Sequence, residues 1–205
     1  MTQLLDFDSD TRTGMPSSED PPFGSTRTSA DQAVFRHLIR ALLASSDRRT
    51  LRQRITSRLQ GARNPFACID ELLDLCTSAG GTDRLDVAID VLAATEMLVL
   101  QYAWEYLIRD VQRRSPDRNR AYQPNDDYWY ILLRAVGRCG APVEERVRFI
   151  LMCSGAATRG VLEGVVEALS DTHTTESRRK LGQLSANHTD PFIRKLAADA
   201  LDDWE

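Results

Sequence analysis

The chain has 205 residues, 42% of them hydrophobic and 27% charged, with a net charge of −4. That is long enough for one domain with its own core, and ordinary for a globular protein. No window alternates apolar and polar with β-branched residues, so strands are not expected, and the acidic balance argues against a chain-wide basic surface.

Residues 1–29, MTQLLDFDSDTRTGMPSSEDPPFGSTRTS, are rich in Ser, Thr, Asp and Pro. They are read as a disordered polar tail. The tail lacks a basic start followed by an apolar run, so a secretory signal is not expected and a cytoplasmic location is. Its Leu4, Leu5 and Phe7 suggest a short docking motif, set against the favoured reading of a solubilising tail.

Residues 30–205 read as a single helical-repeat domain. Ser29 and Gln32 make a capping-box pattern, and Phe35, Leu38, Ile39, Leu42 and Leu43 form the first apolar stripe. A second helix is expected from about Asp47 to Gln60, on Leu51, Ile55 and Leu59. Asn64 and Pro65 open a third, with Phe66, Ile69, Leu72, Leu73 and Cys76 inward; Gly80 and Gly81 end it and Thr82 caps the next. Residues 83–114 follow as one long helix or two with a bend near Ala94. This apolar stretch carries Asp90, Glu96, Gln101 and Glu105. One central Asp costs about 2.5–3.5 kcal/mol to insert, so a central buried helix is preferred to a membrane span. After a polar loop, 115–127, Asp126 or Asp127 caps a helix carrying Trp129, Leu132, Leu133 and Val136.

The last 63 residues repeat. Shifted by 32 without gaps, VEERVRFILMCSGAATRGVLEGVVEALSD (143–171) lies over TESRRKLGQLSANHTDPFIRKLAADALDD (175–203). Glu144, Arg146, Ala168, Leu169 and Asp171 meet identical residues. Phe149 meets Leu181, Met152 meets Leu184, Val161 and Val165 meet Ile193 and Ala197, and Thr158 meets Asp190, one cap on another. Each unit is helix, short turn, helix, giving about nine helices in all. In DPFIRKLAADAL, 190–201, Asp190 is an N-cap, Pro191 fits the first helical position, and Ile193, Leu196, Ala197, Ala200, Leu201 and Trp204 form one stripe thinned by alanine.

That segment resembles the second helix of a HEAT repeat. The resemblance is clearest over 176–204 and weaker over 143–171, where Leu162 stands in place of Arg194. It implies an all-α, HEAT-like right-handed solenoid whose second helices line a concave side, with Asp190 and Arg194 tying neighbouring repeats together.

Chemistry-bearing motifs are not found. Cys68, Cys76, Cys139 and Cys153 form no CxxC and no zinc spacing, and each lies in or beside an apolar stripe; buried reduced thiols are expected, and a Cys139–Cys153 disulfide is disfavoured. His37, His173 and His188 read as surface or helix-end residues. No phosphate-loop, dinucleotide, zinc-protease or serine-hydrolase pattern occurs. Glu96 and Glu105 lack the Glu-x-x-His partners of a di-iron bundle and fit an ion pair or the bend. No cofactor, metal or catalysis is expected.

Charge and aromatics give the candidate binding residues. Eight arginines, at 36, 40, 48, 49, 52, 54, 58 and 63, face only Asp47 within that segment. Arg48, Arg49, Arg52, Arg54 and Arg58 suit phosphates or an acidic protein; the favoured alternative is a helix face whose arginines reach acids such as Asp70, Glu71 and Asp74. Tyr128, Trp129 and Tyr130 are consecutive and cannot share one side, so with Tyr122 they offer hot-spot residues or pack on Tyr102, Trp104 and Tyr106. Arg159, Arg194 and Lys195 sit on the last second helices beside Glu163, Glu167 and Asp199. The expected function is a non-catalytic scaffold or adaptor binding another protein on its concave face. The alternatives are a nucleic-acid-binding or DNA glycosylase-like protein using segment 36–63, and an adaptor for a phosphopeptide or acidic tail. Where the arginines point separates them.

Overall fold

The computed structural model describes residues 30–44, 48–78, 82–113, 125–155 and 158–204. The tail, Ser29, Asp47, Gly80, Gly81, Tyr122 and most of the 115–127 loop lie outside the described residues, as do the side chains of Gln32, Arg48 and Thr82.

Among the described residues the chain is all-helical, with ten helices and no strand: α1 (Ala30–Ala44), α2 (Arg48–Gln60), α3 (Pro65–Ser78), α4 (Thr82–Ala93), α5 (Met97–Arg113), α6 (Asp126–Arg138), α7 (Val143–Cys153), α8 (Arg159–Thr172), α9 (Thr175–Asn187) and α10 (Pro191–Asp202). The tenth helix comes from the long apolar stretch, which is two helices bent by 112°. The break is made by Ala94–Glu96. Glu96 takes the left-handed conformation at φ 53°, and buried Thr95 donates its hydroxyl to the Leu92 carbonyl at 2.7 Å. Glu96 is therefore a bend residue, and Glu105 is exposed. No single described helix is long and apolar enough to cross a membrane.

Local chemistry sets most of the ends. Asn64 accepts from the Ala67 amide at 3.2 Å, and Asp190 accepts from the Phe192 amide at 2.8 Å with Pro191 at the first helical position. Two expected caps are corrected. The N-cap of α6 is Asn125, which accepts from the Tyr128 amide at 3.3 Å; Asp126 and Asp127 fall inside the first turn. Thr158 occupies the N-cap position of α8 but makes no capping bond; it donates to Asp126 Oδ1 at 2.8 Å.

Each odd-numbered helix packs on the even one that follows, and the even helices touch in succession, α2 to α4 to α6 to α8 to α10. The core runs along the seam between the two sets, with Phe35, Ile55, Ile69, Tyr102, Trp129, Phe149, Leu169, Leu181 and Ala197 among its buried side chains. The central element is α6. It touches α3, α4, α5, α7 and α8 and buries Trp129, Ile131, Leu132, Leu133, Ala135, Val136 and Gly137. The repeat register fails at one apolar match. Leu184 is buried, whereas Met152 is 58% exposed, because α7 turns Val147, Phe149, Ile150 and Cys153 inward instead.

Helices α6 and α8 approach each other closely. A Cβ on Gly137 would lie 2.9 Å from both Cα and O of Ala168; one on Gly164, 3.1 Å from Tyr130 Cα; one on Gly160, 2.7 Å from Asp126 Cβ. Gly160, Gly164 and Ala168, four apart, place one small-residue stripe of α8 directly against α6.

Candidate binding surface on the even-numbered helices

The tight α6–α8 contact fixes which charges meet. On α6, Tyr130, Arg134 and Arg138 recur at four-residue spacing and share one face; on α8, Arg159, Glu163, Glu167 and Asp171 do the same. Like charges four apart on one helix repel. Here each helix supplies the other's counter-charges. Arg134 pairs with Glu167 and reaches Asp171 at 3.4 Å, and Arg138 Nε meets Asp171 at 3.0 Å. Tyr130 donates its hydroxyl to Glu167 at 3.1 Å.

The row continues toward the N-terminal half. Arg138 lies 4.0 Å from Asp90 on α4, and Arg52 on α2 donates to the same carboxylate at 2.5 Å. Arg52, Asp90, Arg138, Asp171, Arg134 and Glu167 thus form one alternating ladder across four helices. Arg134 is its most enclosed member at 14% exposure. Burial raises the Tyr130 hydroxyl pKa above the usual phenolic range, with Asp86, Glu163 and Asp171 adding to the shift and Arg138 opposing it.

At the C-terminal end the surface changes character. Arg159 is held by Glu163 at 3.2 Å and lies 4.0 Å from Asp190, and its guanidinium carbon lies over the Phe192 ring, 3.8 Å from the centroid. Arg159 stays 55% exposed and Phe192 40% exposed. The pair places a cation over an aromatic ring at a point open to solvent, and arginine is among the residues enriched at binding hot spots.

The predicted site residues do not fall in one place. Arg52, Tyr130 and Arg159 lie on the even-helix face. Arg194 donates to the His188 and Thr189 carbonyls at 2.7 and 3.1 Å, so it braces its own α9–α10 turn. The link from α10 back to α8 is made instead by Asp190 and Arg159. Lys195 is exposed on α10. Arg49 is exposed, and Arg54 and Arg58 line a groove on the other side of α2, against α1. Arg36 makes a two-point pair with Glu71, at 2.5 and 2.8 Å. Tyr128 donates to Asp74 and Tyr102 to Asp70, while Tyr106 packs on Tyr102, Tyr128 and Trp129 at 6.2, 6.1 and 5.1 Å. The consecutive aromatics therefore knit α6 to α5 and α3. Burial, then the neighbouring Asp70 and Glu71 charges, pushes the Asp74 carboxyl above the usual range.

Sequence reading missed Asp90, Arg134, Arg138 and Asp171. The signal was available: like charges at four-residue spacing on one helix need an opposite set facing them.

The four cysteines are buried and free. Burial raises Cys76 to about 11, against a small opposing pull from Arg84, and Cys153 to about 12, with Asp110 adding to the shift. Among the described residues no group of three His, Cys, Asp or Glu is placed to hold a metal ion. No family model, curated protein or solved structure matches the chain.

Proposed function

We propose that this protein is a non-catalytic scaffold or adaptor, built as a HEAT-like right-handed stack of five helix pairs, whose even-numbered helices present the face that binds another protein. Two features support the architecture: each odd helix packs on the next even one, and the even helices touch in unbroken order. Such stacking creates extended recognition surfaces.

The observation that carries the choice of partner is the alternating ladder. A polyanion needs a run of positive charge free to neutralise phosphates. On this face three arginines, Arg52, Arg134 and Arg138, are matched by three acids, Asp90, Glu167 and Asp171, within 4.0 Å. A nucleic acid laid there meets as many carboxylates as guanidiniums. A polypeptide of mixed charge finds complements to both, and the exposed Arg159–Phe192 pair gives it an anchor.

Site-specific photo-cross-linking in cells tests this. A photoreactive residue in place of Lys195, exposed on α10 one turn after Phe192, is expected to capture a discrete protein, and Arg159→Glu is expected to abolish the adduct. The same residue in place of exposed Glu145, on α7, is expected to give none. Capture of nucleic acid from position 195, or equal protein capture from both positions, refutes the reading.

A further inference from the structure

Arg159 is held at one end and open at the other. Glu163 and Asp190 both approach it at Nε, at 3.2 and 4.0 Å, and its guanidinium carbon lies over the Phe192 ring, 3.8 Å from the centroid. Among the described residues no hydrogen bond engages Nη1 or Nη2, and the side chain remains 55% exposed. A guanidinium fixed at Nε offers its two terminal nitrogens as a planar fork, the geometry that takes a carboxylate at two points. Because the group is already positioned, less freedom is lost on binding. The ladder farther along the even helices is spent by comparison: Arg52 and Arg138 each donate to a carboxylate, and Arg134 pairs with Glu167.

The ground beside the fork is apolar. Phe192 is 40% exposed, and Pro191 next to it is exposed. Lys195, three residues on from Phe192, is exposed on the same side of α10 and adds a second cation. Asp190 already accepts from the Phe192 amide at 2.8 Å, so the end of α10 is capped and recognition falls to side chains. We propose that the partner of the even-helix face presents an acidic side chain next to an apolar one, and that this pair is read at the C-terminal end of the face. The Arg159 Nη fork takes the carboxylate, and the exposed Phe192 and Pro191 rings take the apolar side chain. The inference rests on the binding-face reading and adds the chemistry of its anchor. A carboxylate bridging Nη1 and Nη2 lies across the guanidinium from Nε, away from Glu163 and Asp190. A phosphate dianion there meets twice the repulsion from those two acids, so the monoanion is favoured.

Two blocked tetrapeptides, titrated into the full chain and followed by NMR, test it. One is acetyl-Gly-Phe-Asp-Gly-amide; the other has Asn for Asp, which keeps the shape and removes the charge. The Asp peptide is expected to shift the Arg159 Nε–H signal and the Phe192 and Lys195 amides saturably, with a dissociation constant on the order of 1 mM, and to leave Gly182 on α9 unmoved. The Asn peptide is expected to bind about tenfold more weakly. Arg159→Lys keeps the charge and loses the fork, so the Asp peptide should lose about tenfold there too. The peptide comparison uses the unaltered chain, so no folding defect enters it. Equal affinity of the two peptides, an unchanged affinity in Arg159→Lys, or shifts centred away from Phe192 overturn the inference. Protein capture at position 195 with peptides that bind alike sinks this inference and leaves the binding-face reading standing. Discrimination between the peptides without capture sinks that reading and keeps the chemistry of the anchor.

Discussion

Gly137→Ala and Gly182→Ala make the same chemical change in two helices with opposite surroundings. At Gly182 on α9 a Cβ meets no atom within 4 Å, so only helix propensity acts. Alanine is better than glycine there by about 0.5–1 kcal/mol, and the variant should be stabilised by that amount. At Gly137 the added carbon would stand 2.9 Å from both Cα and O of Ala168. Those are backbone atoms and cannot rotate away. Carbon atoms in good contact sit about 3.5–4.0 Å apart, so α6 and α8 must separate by about half an ångström or more. The separation loosens the whole glycine seam and the charge ladder registered across it. Overpacking of this kind costs about 1–3 kcal/mol. The propensity gain largely cancels in the comparison, so the two variants should differ by about 1–3 kcal/mol, or about 2–12 °C in melting temperature for a chain of this length. Urea unfolding followed by helical circular dichroism measures both. If Gly137→Ala proves as stabilising as Gly182→Ala, the α6–α8 seam is not the tight contact described.

Ala197→Leu on α10 should cost about 1–3 kcal/mol, because Ala197 is fully buried, whereas the half-buried Ala198 should accept leucine at lower cost; urea midpoints rank the two. Asp190→Ala should cost about 0.5–2 kcal/mol through loss of the bond to the Phe192 amide, a loss that Asp190→Asn should largely restore. Cys76 and Cys153 should resist alkylation by iodoacetamide at pH 8 until the chain is unfolded, since little thiolate exists in the native state. Their folded values lie above those of unfolded thiols. The native state then holds protons that the unfolded state has lost, and this contribution to stability is complete below about pH 8.5 and declines as pH rises toward 11–12. A pH series of denaturant midpoints that rises over that interval would contradict the burial of these thiols.

Helix-by-helix structure was legible in the sequence because it is local. A 3.6-residue stripe and a cap are decided within one or two turns, so α1, α3 and α10 follow from Phe35 to Leu43, from Asn64 to Cys76 and from Asp190 to Leu201. The break between α4 and α5 was legible only as an alternative: its left-handed residue is Glu96, and no glycine or proline marks it. Outward-facing Met152 was not legible, since an apolar side chain names no direction until neighbouring helices take the inward positions. The candidate surface depended most on tertiary structure. Arg134 with Glu167 and Arg138 with Asp171 are each 33 residues apart, and Arg52 with Asp90 38 apart. Sequence periodicity puts each charge on a helix face. Which faces meet is decided by how closely α6 and α8 approach, and Gly137, Gly160 and Gly164 set that distance by what they lack.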